Sequence, residues 1–128
     1  MSQIKTHTGI DQRLCGRPID IGEGTSRVSL TTTENMTVDG HGLVHGGFLF
    51  GLADYAAMIA VNDPNVVLGG AEVKFLKPVK VGEAVIAEAR VIEQTGKKNK
   101  VAVTIEREDQ TVFNGEFICF ILEKHVLD

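Results

Sequence analysis

Hydrophobic positions change their period along this chain. Gly46 to Val61 reads GGFLFGLADYAAMIAV, apolar all round with one carboxylate, Asp54. A helix of that kind is buried on every side, not laid on a surface. At ~1.5 Å per residue it spans about 24 Å, enough to cross a small domain. Asn62-Asp63-Pro64 ends it, because the residue before proline is pushed out of the helical region.

The rest reads as strand. Arg27 to Thr33 is β-branched and roughly alternating, and Val66 to Leu76 follows the helix and stops at Lys77-Pro78. Ala84 to Glu93 puts Val85, Ala87, Ala89 and Val91 on one face. Lys100 to Arg107 does the same with Val101, Val103 and Ile105. Asn114 to Glu123 ends in FICFIL, apolar on both faces as in a central or interface strand. Thr95 to Asn99 and Glu108 to Gln110 fit hairpin loops. Gly16 to Glu23 adds a short strand. The predicted order is one or two strands, a buried helix, then four strands in meander. That is an α+β fold, a curved antiparallel sheet wrapped around one long buried helix. A helix apolar on all sides and a single sheet predict that one flank finds a second subunit.

Composition narrows the function. The 128 residues make one domain, 1–128, with 43% hydrophobic and 23% charged residues, which excludes a disordered chain. Thirteen Lys+Arg against seventeen Asp+Glu give a net charge of -4, unlike a nucleic-acid binder. Cys15 and Cys119 form neither a disulfide framework nor a zinc motif. The N-terminus carries no apolar signal region and no stretch is fit to span a membrane. A reduced, cytoplasmic protein is predicted.

The chemistry gathers around the helix start, Asp39-Gly40-His41-Gly42-Leu43-Val44-His45-Gly46-Gly47. Helix N-termini leave unpaired N–H groups and a partial positive charge. Glycine lets a ligand approach those amides, so an oxygen gaining charge would be stabilised there, or the pair merely permits a tight turn. Asp54, in an apolar helix, is costly unless paired, hydrated or used. Burial would raise its pKa toward the range of a general base, or it serves structure through a hydrogen bond. Asp54 follows Gly46 by eight residues, about 12 Å along the axis. It cannot act on a carbonyl held at its own helix start, so use of both groups requires the Asp of an antiparallel partner helix. His41 and His45 have i, i+4 spacing but sit in a loop and at its helix junction, and no metal site is predicted. His45 either fixes the loop that presents Gly46 or is a packed or capping residue. Cys119 reads as a buried small hydrophobe.

The runs His45-Gly46-Gly47 and Leu52-Ala53-Asp54 resemble the hot-dog thioesterases, in particular the phenylacetyl-CoA thioesterase-like (PaaI-like) family. So does Glu72 to Glu83, EVKFLKPVKVGE, with its Pro78 turn. The resemblance covers roughly residues 26 to 122 and implies the hot-dog fold, dimerising edge to edge. It implies that Asp54 is the nucleophile or the general base for water. Gly46 would offer its N–H to the thioester oxygen from the opposite subunit, and His45 would support the loop. Asp39 stands where the family often has Asn. An ionised carboxylate only accepts hydrogen bonds. Either it is protonated, or it orients the loop by accepting N–H groups, or the oxyanion hole relies on Gly46 alone. The family's frequent Ser or Thr on the strand after the helix is replaced by Leu68, Gly69, Gly70 and Ala71.

The expected function is hydrolysis of an acyl-CoA thioester to free acid and CoA, without a cofactor, in a homodimer or homotetramer. Asp39, Gly47, Lys74, Lys77 and Lys80 are the expected substrate-binding residues, the lysines for the CoA phosphates. Lys97, Lys98 and Lys100 are a second candidate set. The alternative is a non-catalytic acyl-CoA or fatty-acyl binding module. A hot-dog hydratase fits less well, because Asp54 follows the histidine and lies inside the helix.

Overall fold

The computed structural model describes residues 2–128. A short helix α1 (Gln12–Cys15) precedes strands β1 (Arg17–Gly22) and β2 (Thr25–Thr31). A single 3-10 turn at Glu34–Met36 leads to the long helix α2 (Gly46–Val61). Strands β3 (Val66–Phe75), β4 (Ala84–Thr95), β5 (Lys98–Arg107) and β6 (Gln110–Ile121) complete the chain. All pairings are antiparallel, and the six strands lie in the order β1-β2-β4-β5-β6-β3. This is the hot-dog fold, one long helix packed against a curved sheet.

The helix has the predicted limits. Asn62, in the left-handed region (φ 55, ψ 47), ends it two residues before Pro64. The Asn62 side chain accepts from the Lys5 N–H and donates to the Gln3 carbonyl, both at 2.8 Å, which ties the N-terminal segment to the helix end. Leu49, Leu52, Ala53, Ala56, Ile59 and Ala60 are buried. Truncating Leu52 or Ile59 to Ala would cost about 2–5 kcal/mol by cavity formation. The small Ala residues let the sheet approach closely, and the buried Ser26 hydroxyl donates to the Ala56 carbonyl at 2.7 Å. The inward faces of β4 and β5 are as predicted, with Val85, Ala87, Ala89, Val101, Val103 and Ile105 buried.

Three expectations are corrected. The last four strands are not one meander: β4, β5 and β6 are, but β3 pairs with β6 at the sheet edge. After Phe75 the chain cannot turn back, because residues 76–83 are held against the helix-entry loop by the Leu43–Lys80 bridge and by Val44 N–H on the Val79 carbonyl (2.9 Å). The hairpins are tighter than predicted, with only Gly96-Lys97 and Glu108-Asp109 outside the strands. Backbone pairing continues through polar residues whose side chains give no apolar signal. Finally, α2 is not covered all round in the single chain. Gly47 is exposed, and Phe50, Gly51 and Asp54 are only partly buried. These residues fall on one flank at i, i+3, i+4 and i+7.

Candidate functional site

The entry to α2 is set by its backbone. His45 donates its N–H to the Met36 carbonyl (2.9 Å), and its own carbonyl accepts from Phe48 N–H (3.1 Å). His45 occupies the N-cap position, yet its side chain makes no capping bond. Its ring lies edge-on to Phe48, 6.2 Å between centroids, and against the Gly47 backbone, where a Cβ would come within 3.0 Å of the ring. The N–H groups of Gly46 and Gly47 find no acceptor among the described residues. They are the free donors that a helix start provides. Gly46 opens onto a groove of about 280 Å³ lined by Leu43, Leu49, Phe75, Leu76 and Lys77 among others.

Asp39 accepts through Oδ1 from the N–H groups of His41 (2.9 Å) and Leu43 (3.3 Å). Of the three roles left open, the loop-orienting one matches this geometry. His41 Nδ1 lies 4.0 Å from Asp39 Oδ2. Among the described residues no group of three or more His, Cys, Asp or Glu side chains is placed to hold a metal ion.

Asp54 projects from the open flank of α2. Its Oδ1 is shielded from solvent and has no hydrogen-bond partner among the described residues. Burial pushes its carboxyl up to about 6. A buried acceptor without a partner costs about 1–3 kcal/mol, more when charged. The surroundings are apolar. Phe50, one turn earlier, packs on Phe117 of β6 at 5.4 Å between centroids. Cys119, two residues further along β6, has its thiol pushed up to about 12, first by burial and then by the Asp54 carboxylate. Leu68 of β3 pairs with Cys119. No structural hydrogen bond therefore explains Asp54.

Gly46 and Asp54 are not brought together within one chain. The two ends of β3 mark them separately. Phe75, near the end of β3, covers Gly46, where a Cβ would stand 3.0 Å from its ring. Leu68, near the start, faces Cys119 in the neighbourhood of Asp54.

The lysines divide. Lys77 lines the groove beside Gly46, and Lys80 lines a neighbouring hollow with His41, Leu43 and Arg107. Lys74 is apart from them. It pairs with Asn114, on the sheet face opposite the Phe75–Phe113 pair, because side chains alternate along a strand. Lys97 is paired with Glu123 (3.1 Å), and Lys100 lies between Glu93 (3.8 Å) and Glu116 (3.9 Å).

Residues 41–114, which hold the whole helix and most of the sheet, match the thioesterase superfamily. The chain belongs to that superfamily. As a thioesterase-superfamily member it is 56% identical, over 99% of its length and 98% of the other chain, to an uncharacterized protein from Pyrococcus horikoshii, with a TM-score of 0.98. The PaaI protein of the phenylacetic acid degradation operon of E. coli is 28% identical over 88% of this chain and 83% of its own, with a TM-score of 0.78. Methylthioribose-1-phosphate isomerase of Aquifex aeolicus is 56% identical over 119 residues, 93% of this chain but 26% of that protein. Transcription factor FapR of Caldanaerobacter subterraneus is 33% identical over 126 residues, 98% of this chain and 62% of that protein. This chain thus spans about a quarter of the isomerase and less than two thirds of the transcription factor.

Sequence reasoning did not single out Arg107. Its guanidinium donates to the Pro78 carbonyl (2.6 Å), Glu83 Oε1 (3.3 Å) and Gln110 Oε1 (2.9 Å). No local pattern signals a contact between residues 29 positions apart.

Proposed function

We propose that this chain is a cytoplasmic acyl-CoA thioesterase whose sites are shared between two subunits. The observation that carries the reading is Asp54, a shielded carboxylate with an unpartnered oxygen on the open flank of an apolar helix. Such a group is retained at a cost in stability, and functional sites are where that cost recurs.

The free edge of β3 supports the assembly. In an antiparallel pairing of β3 with its copy about a two-fold axis, the Leu68 end of one strand meets the Phe75 end of the other. Asp54 of one chain then approaches Gly46 of the partner, as the eight-residue separation on the helix requires. The same pairing satisfies the unpaired edge. A thioester oxygen on the Gly46 N–H would be stabilised as it gains charge. Asp54 either removes a proton from the water that adds to the carbonyl carbon, or attacks that carbon itself to form an anhydride that water then opens. In both routes the C–S bond breaks, CoA takes up a proton, and the acid is released. His45 and Gly47 shape the loop, Asp39 holds it through the amides of His41 and Leu43, and Lys77 and Lys80 offer charge to the CoA phosphates. Assaying CoA release over a series of acyl chain lengths tests this reading, and absence of release from every acyl-CoA would overturn it.

A second reading rests on the similarity to transcription factor FapR over nearly the whole chain. In this reading the site of the present chain holds an acyl-CoA without cleaving it, since one fold can host unrelated functions. Binding without CoA release would favour it. The unpartnered Asp54 weighs toward hydrolysis, since a pure binder gains little from such a group.

A further inference from the structure

Arg107 lies at the end of β5 and lines a hollow with His41, Leu43 and Lys80. Its side chain is only 19% exposed. Three acceptors on two segments converge on its fork: the Pro78 carbonyl and Glu83 Oε1 on the crossing between β3 and β4, and Gln110 Oε1 at the start of β6. Arginine offers five N–H donors in a rigid plane, so it can hold such a set where lysine, a single point of charge, cannot. The segment it grips is residues 76–83, which must cross from the sheet edge to β4.

That segment is held from the other side too. Glu83 Oε1 also accepts the Lys80 N–H at 2.7 Å. The buried Thr32 hydroxyl donates to the Glu83 carbonyl at 2.8 Å and lies 3.2 Å from the Lys80 carbonyl. The crossing segment in turn fixes the entry to α2. Val81 N–H donates to the Gly42 carbonyl (2.8 Å), and Val44 N–H donates to the Val79 carbonyl (2.9 Å). Val44 is two residues before Gly46. The guanidinium is therefore bonded to Pro78, the next residue Val79 is bonded to Val44, and the chain from Val44 leads through His45 to the Gly46 amide.

We infer that Arg107 is a positioning residue that, by clamping the Pro78 crossing, sets where the Gly46 N–H stands. This rests on the proposed thioesterase reading for its catalytic consequence but not for its structural one. Misplacing a catalytic group by ~1 Å from a distance can cost ~10² in rate. The charge-assisted bonds of a guanidinium are among the stronger ones a loop can have.

The test uses Arg107→Gln and Arg107→Lys in the full-length chain, with two readouts. Amide hydrogen exchange at Val44 and Val81, whose N–H groups are bonded across the crossing, should speed up in Arg107→Gln relative to an amide in the centre of β5, and less so in Arg107→Lys. Turnover of acyl-CoA should fall about ten- to a hundredfold in Arg107→Gln, with KM moving less than about twofold, and partly recover in Arg107→Lys. A residue serving only general stability would lower the thermal midpoint while leaving kcat per folded molecule unchanged. Unchanged exchange at Val44 and Val81 overturns the inference whatever the activity. Faster exchange with unchanged kcat overturns the link to catalysis. If the wild-type chain hydrolyses no thioester, the thioesterase reading fails, and the exchange data alone decide whether the clamp exists.

Discussion

The ring of Phe75 stands over Gly46, so that a Cβ on residue 46 would lie 3.0 Å from its Cε1. Phe75 is itself 53% exposed and can give way. Gly46 is the first helical residue, and His45 before it is extended (φ -62, ψ 131). Proline is tolerated at that helix position and asks for an extended residue before it. Gly46→Pro therefore removes one N–H while keeping the helix start, and its ring displaces only the exposed Phe75 ring. We expect it to fold, with a thermal midpoint within a few degrees of wild type. Losing one oxyanion donor should lower kcat by about 10²–10³. Steady-state kinetics beside a melting curve check this, and unchanged turnover would remove the Gly46 amide from the site.

Asp54→Asn separates use from structure. The Oδ1 atom has no partner to lose. Replacing the carboxylate by a neutral amide should therefore leave stability equal or raise it, since unpaired buried charge is costly. A lost general base should cut hydrolysis by about 10²–10⁴. A variant that melts lower and keeps its turnover would mean that Asp54 is structural after all.

What was legible in the sequence was what breaks a local rule. A carboxylate inside an apolar helix and a pair of glycines at its start stand out without any structure. The alternation in β4 and β5 was equally plain, because their inward faces are purely apolar. The edge position of β3 was not legible, because strand order depends on where residues 76–83 are held, and that is decided by contacts with Gly42, Val44 and Arg107. Asp39 could have donated, accepted or stood aside until its two backbone partners were seen. Lys74 is different: its alternation with Val73 and Phe75 already separates it from the inner face.

The pH dependence follows from Asp54, whose carboxyl burial raises to about 6. An unfolded Asp titrates near ~4. Below that, both states hold the proton and Asp54 adds no penalty. Between about 4 and 6 the folded state keeps a proton that the unfolded state has lost, so its contribution to stability falls as pH rises. Above about 6 the loss is complete, on the order of 3 kcal/mol. The stability difference between wild type and Asp54→Asn should therefore shift in favour of the variant across that window. Over the same range kcat/KM should rise with pH as the carboxylate forms. Urea melts and rate profiles at several pH values test both, and an acid limb centred near 4 would contradict the buried position of Asp54.

The proposed sharing of each site between two chains has the most direct consequence. Gly46→Pro and Asp54→Asn should each be nearly inactive alone, because every site in either homodimer lacks one half. In a mixed dimer the two defects distribute unevenly. One site combines the proline with the asparagine and is dead. The other combines an intact Gly46 with an intact Asp54 and is whole. If chains exchange freely, about half the dimers are mixed and each has one working site, so about a quarter of wild-type activity should return. The variants are mixed, unfolded together and refolded, then assayed against each refolded alone. Were Gly46 and Asp54 to act within one chain, every chain in the mixture would carry a defect and no activity would return. A recovery near zero from well-folded mixed dimers would therefore refute the two-chain site, and with it the antiparallel pairing of β3 edges that brings Asp54 to the partner's Gly46.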